Sequence, residues 1–98
     1  MNFKDNQIHN QWNELLRMVI TQDQIQKEKW GVQDKHCFEW LAWTTEEFGE
    51  FVKEINDLNY ERSLDLGLAI TEGIQTITLL VKMVSSLMYL SEKGEDED

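Results

Sequence analysis

The chain has 98 residues, of which 41% are hydrophobic and 29% charged, with no proline and five glycines. This length suits a single domain, and the composition is typical of a globular protein rather than a disordered one. Nine basic against 19 acidic residues give a net charge of −10, and without the four C-terminal acids it is still −6, from 15 acidic against nine basic residues. Such a charge repels nucleic acids and anionic membranes, so we expect neither as a partner.

The cellular compartment is predicted from cysteine content and hydropathy. The single Cys37 cannot form an internal disulfide, which favours a reducing compartment. The N-terminal sequence MNFKDNQIHNQWNELL has no apolar signal core, and no stretch of the chain approaches the ~20 apolar residues of a membrane span. We therefore expect a cytoplasmic protein.

The first predicted helix runs from Asn6 to Lys29, where apolar residues recur at helical spacing. Asp5 or Asn6 is suited to cap its start, because short polar side chains accept hydrogen bonds from the first free amides. The sequence WGVQDKH, over residues 30–36, predicts a turn in which Gly31 ends the helix.

The second predicted helix runs from Cys37 to Leu58. At ~100° per residue, one side of it is apolar, and this periodicity predicts a stripe that faces the core. The stripe consists of Phe38, Leu41, Thr45, Phe48, Val52 and Ile55.

The third predicted helix begins near Leu64 and ends near Tyr89 or Leu90. From Ile74 onward it is apolar on most sides, and a helix of this kind is buried. A chain of 98 residues has little protein in which to bury it, so we expect oligomerisation. The expected fold is all-α, an antiparallel bundle of three to four main helices over residues 1–92, completed by oligomerisation and followed by an acidic disordered tail at 93–98.

Clustered glutamates mark the second helix. Glu46, Glu47 and Glu50 lie within an arc of ~100° opposite the apolar stripe. One interpretation is a solvated glutamate face. However, Trp40 and Trp43 lie in or beside the same arc, and solvent-facing surfaces seldom carry two tryptophans. Another helix, a second subunit or a substrate is then expected to cover it, and covered carboxylates must take up protons or a counter-ion.

The third helix adds a fourth acid, Glu72, in the middle of an apolar band. It is an acid buried by accident of register, or it is paired with a lysine or arginine, or it faces the acids of the second helix. Lysines are scarce nearby, which favours the last alternative. Four carboxylates from two antiparallel helices form an oxygen-rich cage, and Mg²⁺ or Mn²⁺ prefers such ligands.

At these residues the sequence resembles a known family. EEFGE (46–50), followed by EGIQ (72–75), is similar to the EExxE…ExxD motif of the MazG-like nucleoside triphosphate pyrophosphohydrolases, which belong to the all-α NTP pyrophosphatases. The resemblance extends over about residues 8 to 90. By position it implies that Glu46, Glu47, Glu50 and Glu72 are metal ligands. Gln75 stands where the motif has aspartate, and its neutral carbonyl oxygen is able to contact a metal with less charge.

The resemblance implies a metal-dependent hydrolase with Mg²⁺ or Mn²⁺ as cofactor. Members of the family cleave an NTP or dNTP between the α and β phosphates to give the monophosphate and pyrophosphate. Glu47 or Glu50 is the preferred catalytic base, although each is equally suited to be a ligand only. The expected assembly is a homodimer or homotetramer. The alternative is a non-catalytic helical oligomer of the same fold that binds nucleotides or a protein, which Gln75 favours.

Other side chains are candidates for substrate contacts. Phosphates attract cationic side chains, and each cationic candidate is either a phosphate contact or a solvated surface charge. These candidates are Lys35, Lys53, Arg62 and Lys82. His36, at the start of the second helix, is a candidate for a base or phosphate contact or a polar helix-start residue. Tryptophans can stack on a nucleobase, although packing is their commoner role; the candidates are Trp30, Trp40 and Trp43.

Overall fold

The computed structural model describes residues 2–31 and 35–96. All regular elements in these ranges are α-helices: α1 Asp5–His9, α2 Trp12–Trp30, α3 Cys37–Asn59 and α4 Leu66–Asp96. The prediction of an all-α protein is confirmed. The predicted second helix, Cys37–Leu58, agrees with α3 to one residue.

The first predicted helix is interrupted in the structure. Asn10 and Gln11 separate α1 from α2, and the Gln11 amide donates to the Ile8 carbonyl at 3.0 Å. The helix also begins at Asp5, after Lys4, so neither Asp5 nor Asn6 is its N-cap. Because α1 buries none of its residues, packing does not select one continuous helix here.

The ends of α2 and α3 follow from local chemistry. Gly31 adopts a positive φ of 73° and its amide donates to the Lys27 carbonyl at 2.7 Å, so the predicted stop at Gly31 is confirmed. Residues 32–34 of the predicted turn lie outside the described residues. At the start of α3, the His36 ring nitrogen Nδ1 accepts from the Phe38 amide at 3.2 Å. His36 is therefore an N-cap.

The last helix is longer than predicted at its C-terminus. Its start is fixed by Asp65, whose Oδ1 accepts from the Leu68 amide at 2.9 Å. The helix ends at Asp96 rather than at Tyr89 or Leu90. Residues 93–96, predicted to belong to a disordered tail, are thus part of α4, and residues 97 and 98 lie outside the described residues. Ser91–Lys93 has no helix-breaking residue, so nothing local ends the helix at Leu90.

Helices α3 and α4 pack antiparallel. Near the start of α3, Thr44 Oγ1 lies 3.2 Å from Met83 Sδ. Two turns later along α3, the ring of Phe51 covers Gly73, ten residues earlier in α4. A higher residue number in α3 therefore meets a lower one in α4, which defines the antiparallel pairing.

Helix α2 packs on another side of α4. Val19 is buried, and Lys82 of α4 reaches both Asp23 and Gln26 of α2. Thr78 on the same side of α4 is 1% exposed, and its hydroxyl donates to the Ile74 carbonyl at 2.7 Å, which satisfies its hydrogen bond within the helix.

The single chain buries little apolar surface. The buried hydrophobic side chains among the described residues are Val19, Ala69, Ile74 and Leu79. The predicted core stripe of α3 is not among them: Phe38 is 72% exposed and Phe48 52% exposed. That prediction was wrong for the isolated chain, because α4 packs on the neighbouring face of α3, around Thr44, Glu47 and Phe51. Completion by oligomerisation stays a prediction.

Helix α4 is also long and apolar enough, over Leu66–Gly94, to cross a membrane by length and composition. The expectation that no segment approaches this length was therefore wrong. A single such helix is weak evidence for a membrane span, since the core helix of a soluble protein has the same properties. The expectations of a cytoplasmic location and of no membrane partner stay predictions.

Candidate functional site

Three carboxylates meet where α3 packs against α4. Glu47 and Glu50 lie one turn apart on α3, and Glu72 faces them from α4. Each offers one oxygen, and these oxygens all lie within 4.8 Å of one another. The expectation that Glu72 faces the acids of the second helix, rather than a lysine or arginine, is therefore met. The three residues are called the acidic cluster below.

Burial and neighbouring acidic groups change the protonation of Glu72 and Glu47. Burial, hydrogen bonding with Glu50 and the charges of Glu50 and Glu47 raise the pKa of Glu72 to about 7. Burial and the charges of Glu50 and Glu46 also raise the pKa of Glu47, while the hydrogen bond with Glu72 opposes the rise. In the absence of a cation, Glu72 is therefore partly protonated near neutral pH.

Gln75 completes the inner side of the cluster. With its nitrogen turned toward the carboxylates, the amide donates to Glu47 Oε2 at 2.8 Å and to Glu72 Oε2 at 3.3 Å. A glutamine amide has two N–H donors, so one side chain can hold both acids. Gln75 therefore contacts the carboxylates through its nitrogen, and the expected contact of its carbonyl oxygen with a metal stays a prediction.

A groove extends from the acidic cluster between α2, α3 and α4. Its volume is about 650 Å³, and Glu47 and Gln75 form part of its wall. Trp40, Trp43 and Trp30 line it as well. Cavities of a few hundred cubic ångströms accommodate small molecules the size of a nucleotide. The cluster and the groove thus form one continuous candidate site.

The groove combines aromatic rings with cations. Trp40 and Trp43 meet edge to face, with ring centroids 5.9 Å apart. Lys35 Nζ lies 4.1 Å from the centroid of Trp43, and Lys82 Nζ lies 5.5 Å from that of Trp40. An anion that enters the groove would meet two ammonium groups beside its aromatic rings, and the carboxylate of Glu47 lines the same groove.

Lys82 is held in place from the α2 side. Its Nζ lies 2.9 Å from Asp23 Oδ1 and donates to Gln26 Oε1 at 3.1 Å. Lys27 also pairs with Asp23, at 3.0 Å. Burial alone would raise the pKa of Asp23, but the ammonium groups of Lys82 and Lys27 outweigh it and lower that pKa. Lys82 is thus a fixed charge rather than a mobile one.

Several candidate residues lie elsewhere. Glu46 is exposed and is not one of the three clustered carboxylates, although its charge acts on Glu47. His36 caps α3 and stacks on Phe38 with ring centroids 5.2 Å apart, and neither His36 nor Lys53 lines the groove. Arg62 pairs with Asp57 at 3.3 Å. The position of these residues in the sequence did not distinguish them from the residues that line the site.

The groove residues without a sequence prediction include Asp23 and Gln26, which hold Lys82 in place. Asp23 and Gln26 lie one turn apart on α2 and both line the groove. A spacing of three residues places them on one helix face, but the same spacing occurs on any polar helix surface. Asp23 and Gln26 belong to the site because α2 packs against α4, where both contact Lys82.

Comparison with known proteins found no match for this chain among protein-family models, curated proteins or solved structures.

Proposed function

We propose that the protein is a metal-dependent nucleotide pyrophosphohydrolase that cleaves an NTP or dNTP to the monophosphate and pyrophosphate. The observation that carries this proposal is the acidic cluster of Glu47, Glu50 and Glu72, whose member Glu47 lines an aromatic and basic groove. The same residues carry the resemblance of positions 46–50 and 72–75 to the MazG-like motif, which agrees with this proposal. We accordingly propose membership of that family.

The residues of the cluster suit Mg²⁺ or Mn²⁺. Both ions prefer carboxylate oxygens, and the cluster offers three of them within 4.8 Å of one another. Burial, followed by hydrogen bonding with Glu50 and the charges of Glu50 and Glu47, raises the pKa of Glu72 to about 7, and a divalent cation would offset the negative charge of these groups more strongly than a proton. When bound, the ion supplies positive charge that screens the phosphates and activates water for attack.

The side chains of the chain have distinct roles in this proposal. Glu47, Glu50 and Glu72 hold the cation, and Gln75 fixes Glu47 and Glu72 by donating to both. Glu47 is the preferred general base, because burial and its acidic neighbours raise its pKa above the ordinary value of a glutamate, which makes it a better proton acceptor. Glu50 is the alternative base. Glu46, which is exposed, contributes charge to the cluster without being one of its ligands.

The groove is suited to the organic part and the phosphates of a nucleotide. The rings of Trp40 and Trp43 offer stacking surface for a base, which contributes about 1–3 kcal/mol per base in other proteins. Lys35 and Lys82 supply positive charge on the same wall, and Trp30 lies at the end of α2. We propose further that the working protein is a homodimer or homotetramer, because the single chain buries few apolar side chains.

A second candidate function is a non-catalytic module that binds nucleotides or a protein. The contact of Gln75 favours it, since an amide that donates to Glu47 and Glu72 stabilises both carboxylates without a metal. A module of this kind keeps the groove but needs no divalent cation. The two candidates therefore differ in their response to Mg²⁺ and Mn²⁺.

The test is pyrophosphate release from a panel of NTPs and dNTPs with Mg²⁺ or Mn²⁺. We expect release that requires the metal and falls at least 100-fold in Glu50→Gln, a loss typical of removing a group that acts in the transition state. Glu46→Gln is the matched control: it removes the same charge from the same helix, outside the cluster. Release from the wild-type protein without metal would contradict the proposed metal dependence. No release from any nucleotide would contradict the proposed activity and favour the binding module.

A further inference from the structure

The groove gathers positive charge in a strongly acidic chain. The chain has nine basic residues and a net charge of −10. Three of the basic residues, Lys27, Lys35 and Lys82, line the groove together with two acids, Asp23 and Glu47. Because Glu47 belongs to the acidic cluster, the rest of the groove carries three ammonium groups and one carboxylate, a net charge of +2. This part of the groove is called the basic part below.

The basic part lies along the helices from the acidic cluster. Lys82 follows Gln75 by seven residues on α4, and Trp40 precedes Glu47 by seven residues on α3. At 1.5 Å per residue, each separation is about 10 Å along the helix axis. Since α3 and α4 are antiparallel, both steps run in the same direction, and Lys82 Nζ lies 5.5 Å from the ring centroid of Trp40. A nucleotide held in the groove by phosphates at the cluster therefore directs its base toward Trp40 and Lys82.

Lys82 has one hydrogen-bond donor left for a ligand. A lysine ammonium group carries three N–H donors and no acceptor. Nζ of Lys82 donates to Gln26 Oε1 at 3.1 Å and pairs with Asp23 Oδ1 at 2.9 Å, which accounts for two of the three. Both partners lie on α2 and hold the ammonium group in position. The side chain of Lys82 is still 27% exposed, so a molecule in the groove can reach the third donor.

The carboxylate of the basic part has little capacity to accept hydrogen bonds from a ligand. The two oxygens of Asp23 face different ammonium groups, Oδ1 that of Lys82 and Oδ2 that of Lys27 at 3.0 Å. Oδ1 is also buried from solvent. Lys35, beside Trp43, adds another group that only donates. The charged groups that a ligand meets here are therefore mainly hydrogen-bond donors.

Nucleobases differ in what they offer to a donor. Guanine and thymine present a carbonyl oxygen, O6 or O4, where adenine and cytosine present an amino group, N6 or N4. An ammonium group stabilises the oxygen and offers nothing to the amino group. We propose that Lys82 makes the groove selective for nucleotides whose base carries a carbonyl oxygen at this position, as in uracil and hypoxanthine, over those of cytosine and adenine. This inference rests on the proposed function, since it takes the groove to bind a nucleotide, but it does not require hydrolysis.

The test compares two pairs of nucleotides that differ at this position. Uridine and cytidine nucleotides form one pair, and inosine and adenosine nucleotides form the other; each pair exchanges a carbonyl oxygen for an amino group. The α,β-methylene triphosphates cannot be cleaved between the α and β phosphates, so calorimetry with Mg²⁺ measures their binding alone. We expect the uridine and inosine analogues to bind about 10- to 100-fold more tightly than their partners, as for one hydrogen bond to a charged group.

Substitutions of Lys82 locate the origin of the preference. In Lys82→Met, which removes the ammonium group but keeps a long side chain, the two members of each pair should bind equally. Lys82→Arg keeps a charged donor and should retain the preference. Lys53→Met is the matched control, because Lys53 is an exposed lysine of α3 that does not line the groove, and it should leave the preference unchanged.

A second measurement on the wild-type protein covers the case in which the Lys82 variants fail to fold. Acetylation of the lysines, read by mass spectrometry, should show Lys82 protected more by the inosine analogue than by the adenosine analogue, with Lys53 modified equally in both. Equal protection of Lys82 would overturn the inference.

The outcomes separate this inference from the proposed hydrolysis. Equal or tighter binding of the cytidine and adenosine analogues would overturn the inference alone. A preference that persists in Lys82→Met would also overturn it, even where that variant binds all four analogues more weakly, as for a lysine that contacts a phosphate. Binding of none of the four analogues would overturn the proposed nucleotide groove as well. A preference for the carbonyl bases without pyrophosphate release from cleavable NTPs would support the inference and contradict only the hydrolysis.

Discussion

The ring of Phe51 on α3 lies directly against Gly73 on α4. A Cβ atom built on Gly73 would be 3.0 Å from Phe51 Cε1 and 3.4 Å from Cδ1, closer than nearly all real contacts of a Cβ atom. The absence of a side chain at Gly73 therefore sets how closely the two helices approach. Glu72 directly precedes Gly73, so the same close contact between the helices places Glu72 near Glu47 and Glu50.

We predict that Gly73→Ala destabilises the protein. Alanine gains about 1 kcal/mol of helix propensity over glycine, but forcing the ring of Phe51 aside costs about 1–3 kcal/mol. The free energy of unfolding, measured with urea, should fall by up to about 2 kcal/mol. With Phe51→Leu in the background, the same substitution should cost less or become stabilising. Gly94→Ala is the control, since a Cβ there meets nothing within 4 Å, and an equal loss in both backgrounds would contradict this explanation.

Hydrophobic periodicity predicted the helices well but not what covers them. The limits of α3 follow from the cap at His36 and the apolar repeat, both of which are local. The apolar stripe of α3 was correctly placed on one side of the helix, yet Phe38 and Phe48 are exposed in the single chain. Periodicity shows which face is apolar, and it does not show whether the covering surface belongs to the same chain.

The candidate site was predictable where the chemistry of a residue is unusual for its position. Glu72 in an apolar band of α4 was such a residue, and it does face Glu47. Glu46 and Glu50 lie on the same helix and differ in their angle relative to α4. The sequence does not show on which side of α3 the helix α4 packs, so it did not distinguish the two residues. Lys82 contacts Asp23 and Gln26, which lie more than fifty residues before it in the chain. Local sequence patterns carry no information about such distant pairs.

Divalent cations should stabilise the protein through the acidic cluster. At a free Mg²⁺ or Mn²⁺ concentration of 100 times the dissociation constant, linkage adds about 2.7 kcal/mol to the free energy of unfolding. The melting temperature should therefore rise with metal in the wild-type protein and in Glu46→Gln. It should stay constant in Glu50→Gln and Glu72→Gln, which remove a carboxylate from the cluster. An unchanged rise in Glu72→Gln would place the metal elsewhere.

In the presence of a chelator, stability should depend on pH through Glu72. Its pKa is raised from 4.5 to about 7, mainly by burial and by the neighbouring Glu50 and Glu47, so the folded state binds this proton more tightly than the unfolded chain. The contribution is then fully present below pH 4.5 and is lost as the pH rises through about 7. Urea unfolding at pH 5, 6, 7 and 8 should show a decline that is much reduced in Glu72→Gln.

Glu46→Gln serves as the control for this pH dependence, because Glu46 is an exposed glutamate on the same surface. It should keep most of the decline seen in the wild-type protein. An equal decline in the wild-type protein and in Glu72→Gln would show that other groups cause it. Saturating Mg²⁺ should also flatten the profile, since the cation replaces the proton at the cluster.

Nucleotides should quench the fluorescence of the tryptophans that line the groove. Of the four tryptophans in the chain, Trp12 lies at the start of α2, against His9 with ring centroids 4.5 Å apart, and does not line the groove. Trp12→Phe should therefore leave the quenching by an NTP unchanged, whereas Trp43→Leu should reduce it and weaken binding by about 5- to 100-fold, as expected for the loss of one stacked base. Since stacking requires no metal, part of this quenching should remain with a chelator. Quenching that is lost in Trp12→Phe and retained in Trp43→Leu would show that nucleotides do not bind in the groove.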